Sequence, residues 1–190
     1  LTIEDINIRG ASGWGVDLSG TSGATVDGLS FVKLDKGIYG NGVTGATIQN
    51  LTFDSCTVGV ELYNFTTGGV IDNLSVVRGT YGIYLDGGST GAMVQNCTVD
   101  GMSLQGIYLN TVGGSRVENN LVTNCGAYGI YMLNSLGGNP NWVRFNCLIN
   151  NTGGTSQGFD NVAADWWDQN YYSDNVYAQD GGAVTDANPK

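Results

Sequence analysis

Three passages between residues 70 and 139 decide the fold. Val70-Ile71-Asp72-Asn73-Leu74-Ser75-Val76 leads to Tyr81-Gly82-Ile83-Tyr84-Leu85. Met93-Val94-Gln95-Asn96-Cys97-Thr98-Val99 leads to Gln105-Gly106-Ile107-Tyr108-Leu109. Arg116-Val117-Glu118-Asn119-Asn120-Leu121-Val122 leads to Tyr128-Gly129-Ile130-Tyr131-Met132. A Gly-rich passage follows each, and the pattern restarts. A fixed period near 23 residues marks a solenoid, whose repeats bury their apolar edges only against their neighbours.

The period runs outward from this stretch. A first aliphatic anchor recurs at Ile3, Val26, Ile48, Ile71, Val94, Val117 and Val143, in steps of 23, 22, 23, 23, 23 and 26. A second anchor, Gly followed by an apolar residue, recurs at Gly15-Val16, Gly37-Ile38, Gly59-Val60, Gly82-Ile83, Gly106-Ile107, Gly129-Ile130 and Gly158-Phe159. Apolar and polar residues alternate around each anchor, as in Leu51-Thr52-Phe53, which is strand periodicity. No 3.6-residue stripe is present, and Gly fills 31 of 190 positions. Gly and Asn punctuate the segments as turns require. The expectation is a coil of three short strands per turn, with successive coils stacked as parallel strands about 4.8 Å apart. Ile6, Leu29, Leu51, Leu74, Cys97, Asn120 and Asn146 form a second inward column.

The Ile-x-Asn-x-x-Val element followed by Tyr-Gly-Ile-Tyr-Leu resembles the right-handed parallel β-helix repeat of the pectate-lyase-like superfamily, including its NosD-like secreted members. The resemblance covers roughly residues 1–160 and is carried by structural residues. It implies an all-β, single-stranded right-handed parallel β-helix of about seven coils of 22–25 residues. Residues 161–190 break the repeat and are expected to be an aromatic-rich cap or extension. Trp167-Asp168-Gln169-Asn170-Tyr171-Tyr172 is similar to the element that follows the last coils in such proteins. Both ends read as cut, so the chain is expected to be part of a longer protein or assembly. Leu1-Thr2-Ile3 begins inside a strand pattern, and its open edge calls for further coils or a neighbouring subunit.

Composition narrows the partners. The formal net charge is −10, with 7 basic residues, so a nucleic acid strand would be repelled. No apolar run of 18 residues is present, and no membrane insertion is expected. High Gly, Asn, Thr and Ser with a pI near 4.1 suits an extracellular, cell-surface or periplasmic location. Cys56 and Cys125 share a column but lie three coils apart, roughly 14 Å by strand spacing. A disulfide needs Cα atoms within about 7 Å, so the four cysteines are expected to be small hydrophobes without disulfides.

One outward column reads Asp17, Tyr39, Glu61, Tyr84, Tyr108, Tyr131 and Asp160. The next reads Ser19, Asn41, Tyr63, Asp86, Asn110 and Leu133, with Trp14, Tyr81 and Tyr128 at the turn before each glycine. Aromatic faces stack on sugar rings, and neighbouring carboxylates and amides meet hydroxyls. Tyr39, Tyr84, Tyr108, Tyr131, Asn110 and Trp14 are therefore candidate glycan contacts, with a polysaccharide or surface glycan as partner. The same column also reads as a tyrosine ladder that only stiffens the sheet.

The lyases, glycoside hydrolases and uronate C5-epimerases of the resembled superfamily suggest the competing class, a polysaccharide-active enzyme. The chain has no His, which removes an epimerase-type acid–base pair. None of its basic residues is expected on the outward positions of the tyrosine strip. Glu61 and Asp86, one coil and two residues apart, remain as a candidate catalytic pair. Their expected separation, on the order of 7–10 Å, overlaps that of inverting glycosidases.

Asn50, Asn64, Asn73, Asn96 and Asn150 head glycosylation sequons. Asn50, Asn73 and Asn96 equally read, with Asn119, as a structural ladder at the bend. No cofactor is expected. Asp165, Asp168, Asp174, Asp180 and Asp186 are the acids through which calcium could bind, although their spacing departs from a calcium-loop motif. The leading expectation is a non-catalytic extracellular rod, structural or adhesive, that binds glycan or self-associates through its coil ends.

Overall fold

The computed structural model describes residues 2–4, 6–10, 12–66, 68–136, 138–151, 157–162, 165–173 and 179–180. Its strands form three eight-stranded sheets, and every pairing is parallel, each strand lying beside its equivalent one turn away. The first sheet holds Thr2–Glu4, Thr25–Asp27, Thr47–Gln49, Val70–Asp72, Met93–Gln95, Arg116–Glu118, Trp142–Arg144 and Trp166–Asp168. The second holds Asn7–Arg9, Ser30–Val32, Thr52–Asp54, Ser75–Val77, Thr98–Asp100, Leu121–Thr123, Cys147–Ile149 and Tyr171–Tyr172. The third holds Trp14–Asp17, Lys36–Asn41, Val58–Tyr63, Tyr81–Asp86, Ile107–Asn110, Ile130–Leu133, Gly158–Asp160 and Gln179–Asp180. This is the expected all-β parallel solenoid of about seven turns.

In the first two sheets most strands are three residues long, and from the second rung on the central residue points inward. In the first sheet the inward column is Val26, Ile48, Ile71, Val94, Val117, Val143 and Trp167, all buried. The strands end where one residue turns left-handed. At the first bend this is Asn50, Asn73, Asn96 and Asn119, with φ of 55, 52, 54 and 56°. Asn tolerates that conformation because its short side chain bonds locally. Here it bonds along the rod: Asn50 Nδ2 donates to Asp27 Oδ1 at 2.7 Å and Asn73 Nδ2 to Asn50 Oδ1 at 2.8 Å. At the second bend Lys33, Ser55 and Arg78 take the same backbone shape, at 56, 58 and 58°. Lateral pairing therefore sets the bend even where local preference does not.

The glycines of the second anchor are not turn residues. Gly15, Gly37, Gly59, Gly82 and Gly106 have no left-handed φ. A Cβ added at Gly59 would meet the carbonyl oxygen of Gly82 at 2.6 Å, and one at Gly82 would meet that of Gly106 at 2.5 Å. The chain passes too close to its own next turn for any side chain.

At all three corners the buried residue changes character along the rod. The first bend reads Leu29, Leu51, Leu74, Cys97, then Asn120, Asn146 and Asn170. Each buried Asn takes over the backbone groups of the preceding rung. Asn146 Oδ1 accepts from Asn120 N at 3.0 Å, and its Nδ2 donates to Val117 O at 2.8 Å. Asn141 Nδ2 bonds Val112 O and Asn151 Nδ2 bonds Val122 O in the same way at the other corners. Asp165 extends one of these ladders by accepting from Asn141 N at 2.7 Å and from Ser135 Oγ. Buried amides are tolerated because both ends are satisfied.

Three positional expectations are corrected. Ile6 is 50% exposed rather than inward, because it lies on the first described rung with a neighbour on one side only. Cys147 faces outward between Leu121 and Tyr171 and is only part-buried. Asp160 is fully buried rather than outward, because the seventh rung pairs Tyr131 with Phe159 and Met132 with Asp160. Asp160 accepts instead from Trp167 Nε1 at 3.1 Å and Val162 N at 2.9 Å. Among residues 161–190, the described part adds an eighth rung to all three sheets, with Trp167 and Tyr172 in the core. Leu1, Asp174, Asp186, the side chain of Asp180 and residues 181–190 lie outside the described residues.

All four cysteines are free thiols, and burial pushes Cys97 and Cys125 up to about 12.

Two substitutions test this packing. Gly82→Ala, which drives a methyl into Gly106 O and Val99, is expected to destabilise the fold by about 1–3 kcal/mol in a denaturant melt. Asn146→Ala strips partners from Asn120 N and Val117 O, and each buried group left unmet costs about 1–3 kcal/mol, so its melt should fall further than that of Leu51→Val.

Candidate functional site

The outward column of the third sheet runs Asp17, Tyr39, Glu61, Tyr84, Tyr108, Tyr131 and Phe159 in strict register. Parallel pairing places equivalent side chains one strand spacing apart, so the rings stack. Tyr84 and Tyr108 are 4.7 Å between centroids and 14° from parallel. Tyr108–Tyr131 and Tyr131–Phe159 follow at 5.1 and 4.9 Å. Tyr81 and Tyr128 lie beside the column, against Tyr84 at 5.8 Å and Tyr131 at 5.2 Å.

Glu61 interrupts the column, and Tyr63 from the neighbouring column bridges the gap. It lies 6.2 Å from Tyr39 and 6.0 Å from Tyr84, tilted by 56 and 71°. Trp14 closes the far end at 4.1 Å from Tyr39. Nine rings thus form one continuous ribbon, most of them half-buried, with Trp14 50% exposed.

The outward positions of the strip carry no basic residue, as expected, but a cation reaches the ribbon from the flanking column of Trp14. Lys36 pairs with Trp14 across the first two rungs, at the start of its strand. Its Nζ sits 4.5 Å over the Tyr39 ring and 5.4 Å over Trp14, and 2.8 Å from Glu61 Oε1. Glu61 is only 6% exposed, so the ion pair and ring contacts offset the cost of burying its charge. Arg78, the other basic residue near the turn, pairs with Asp54 instead.

The two candidate catalytic carboxylates are each engaged, Asp86 by a phenol on its own strand and Glu61 by Lys36. Tyr84 Oη donates to Asp86 Oδ2 at 2.6 Å, and Gly87 N donates to Asp86 Oδ1. Glu61 Oε1 accepts from Lys36 Nζ at 2.8 Å, with Tyr63 two residues further along the same strand. On adjacent rungs Glu61 stands beside Tyr84, and Tyr63 beside Asp86. In this arrangement Asp86 accepts at both oxygens, the reverse of a proton donor's geometry. The phenols are no better placed as bases. Burial, then the neighbouring Glu61 carboxylate, pushes Tyr63 up to about 12, and burial with Asp86 raises Tyr84 as well. Burial also raises Tyr108.

The structure brings Trp14, Tyr39, Tyr84, Tyr108 and Tyr131 together in the ribbon. Asn110 sits on its edge, where its Oδ1 accepts from Asn134 Nδ2 at 3.2 Å. Tyr63 and Lys36 join them although neither was singled out as a contact. Their signal lay in the column arithmetic: Tyr63 is two residues beyond Glu61, and Lys36 is one residue before Gly37, as Tyr81 is before Gly82. The sequon amides of Asn50, Asn73 and Asn96 donate to the bend ladder, and Asn64 Nδ2 donates to Asn41 Oδ1 at 2.9 Å. Among the described residues no group of three His, Cys, Asp or Glu could hold a metal ion. Nor, among these residues, is any helix long and apolar enough to cross a membrane.

The raised phenols make stability depend on pH in one direction. The native state keeps the Tyr63 proton after the unfolded chain, titrating near 10.0, has lost its own. The contribution is complete below that pH and is lost as pH rises toward about 12. Melting temperatures are expected to fall across this alkaline window, and less steeply in Tyr63→Phe.

The sequence pattern of the right handed beta helix region matches residues 1–165 and again residues 81–188. The two matches overlap because a repeat pattern fits the chain at more than one rung. No curated protein matches the chain. Stacked triplets of short parallel strands, an inward aliphatic column and close-packed glycines are what such a repeat requires, and the chain belongs to the right-handed β-helix family.

Proposed function

We propose that this chain is a non-catalytic β-helical module of an extracellular or cell-surface protein, and that its third sheet contacts an extended polysaccharide. The observation that carries the reading is the nine-ring ribbon, half-buried on a flat face and edged by phenol, amide and carboxylate groups. Aromatic residues combine a large apolar surface with a polar tip, which suits partners that are part apolar and part hydroxyl.

The ring geometry divides the work. Tyr84 and Tyr108 cover one another's faces, which leaves their edges for a partner, and the Tyr84 hydroxyl is taken up by Asp86. Tyr39, Tyr131 and Asn110 extend that polar edge. Trp14, half exposed at the end of the ribbon, offers the broad face on which a sugar ring can stack. The engaged state of Glu61 and Asp86 favours binding over hydrolysis.

Affinity electrophoresis against a polysaccharide panel tests this. Wild-type protein should be retarded by at least one gel, and Trp14→Ala should lose retention with little change in melting. Tyr108→Ala should instead lose about 0.5–1.5 kcal/mol of stability, the range for an aromatic pair, with a smaller effect on retention. Retention by no gel defeats the reading. Release of unsaturated or reducing-end product, abolished by Glu61→Gln, would replace it with an enzymatic one.

A further inference from the structure

We propose that the ribbon also conducts a one-electron oxidation from its exposed end to Tyr84, which makes Tyr84 the oxidative modification site of this protein. The inference does not depend on polysaccharide binding. It rests on two observations: unbroken ring contact, and one phenol bonded to a carboxylate that makes no ion pair among the described residues.

From Trp14 the rings follow at 4.1, 6.2 and 6.0 Å through Tyr39 and Tyr63 to Tyr84. These are contact distances for aromatic pairs. Within the ribbon Trp14 is the ring most open to an oxidant in solution; Trp166, 54% exposed, lies outside it. A tyrosine gives up an electron readily only if its proton can leave at the same time. Tyr84 Oη already donates to Asp86 Oδ2 at 2.6 Å, within the range of a strong O–H···O⁻ bond and of direct proton transfer. Tyr63 also lies near a carboxylate, but Glu61 is engaged by Lys36 Nζ at 2.8 Å, and Tyr63 makes no hydrogen bond to it of the kind that Tyr84 makes to Asp86. The phenols of Tyr108 and Tyr131 make no hydrogen bond to a carboxylate.

The step balances as follows. An external one-electron oxidant, a photo-oxidised metal complex or an inorganic radical, removes an electron from the Trp14 indole and is itself reduced by one electron. An electron from Tyr84 refills the indole through the intervening rings. The Tyr84 O–H bond breaks and its proton passes to Asp86 Oδ2. The products are a neutral tyrosyl radical, a protonated Asp86 carboxyl and the reduced oxidant.

The test uses the intact protein with a photo-excited ruthenium tris-bipyridyl complex, persulfate as terminal acceptor and a nitroso spin trap. Adducts are mapped by peptide mass spectrometry. Tyr171, 46% exposed on the second sheet and outside the ribbon, is the internal control. Tyr84 should carry the main tyrosine adduct although Tyr171 is the more open. Asp86→Asn keeps an oxygen for Gly87 N and should lose the Tyr84 adduct without a change in melting. Tyr63→Leu, which breaks ring contact, should also lose it and leave oxidation at Trp14. Labelling that follows exposure, with Tyr171 dominant, overturns the proposal, as does an unchanged Tyr84 adduct in either folded variant.

Discussion

Each described strand of this protein has its own equivalent as a neighbour, one turn away. Lateral main-chain hydrogen bonds hold that neighbour at about 4.8 Å, and every other feature must accept the distance. Rings tolerate it and stack, as Phe31 and Phe53 do in the core at 4.8 Å. Glycines are forced by it where the backbone meets its copy. Like charges do not tolerate it, and the first sheet shows the remedy. Glu4 stands beside Asp27 on the first rung, but from there the outward column reads Asp27, Gln49, Asp72 and Gln95, so that acids alternate with amides. Gln49 Nε2 donates to Asp27 Oδ2 at 2.8 Å, turning a potential repulsion into a hydrogen bond.

The same constraint explains the aromatic sheet. Tyrosine repeated in register produces a ladder whose rings shield one another, which stiffens the sheet and withholds ring faces from solvent. A glutamate in the column breaks the ladder, and the break tilts Tyr63 and draws in Lys36. The irregularity therefore holds the chemistry: a buried ion pair, a phenol–carboxylate hydrogen bond, and the open indole at the end of the ribbon. A uniform ladder would have been only structure.

Much of this could be read in the residues. The aliphatic anchors and the tyrosine column fell into register because a strand period of two and a turn period near 23 leave one consistent alignment. Rung seven escaped because Gly158-Phe159 imitates the Gly-apolar anchor while standing one position out of phase. The shift keeps Phe159 on the ribbon and turns Asp160 inward, where Trp167 Nε1 satisfies it, a pairing visible only in three dimensions. Lys36 escaped because its place before Gly37 reads as a turn, whereas the strand begins there. Of the buried corner amides Asn120 and Asn146 were placed in the right column, Asn141, Asn151 and Asn170 were not, and the role of none was legible. An Asn there serves the backbone of the previous rung, and sequence spacing does not show which hydrogen bonds a corner lacks.

The corner amides have a consequence for how such a chain changes length. Each one answers an N–H and a carbonyl exactly one rung back, never a unique feature elsewhere in the molecule. A duplicated or deleted stretch of one whole repeat therefore leaves every donor facing an acceptor. A change of a few residues does not, unless it falls in the loop between strands, as the longer passages before Trp142 and Gly158 do. Inheritance can lengthen or shorten this architecture only in whole turns, and its loops are where fractional changes are absorbed.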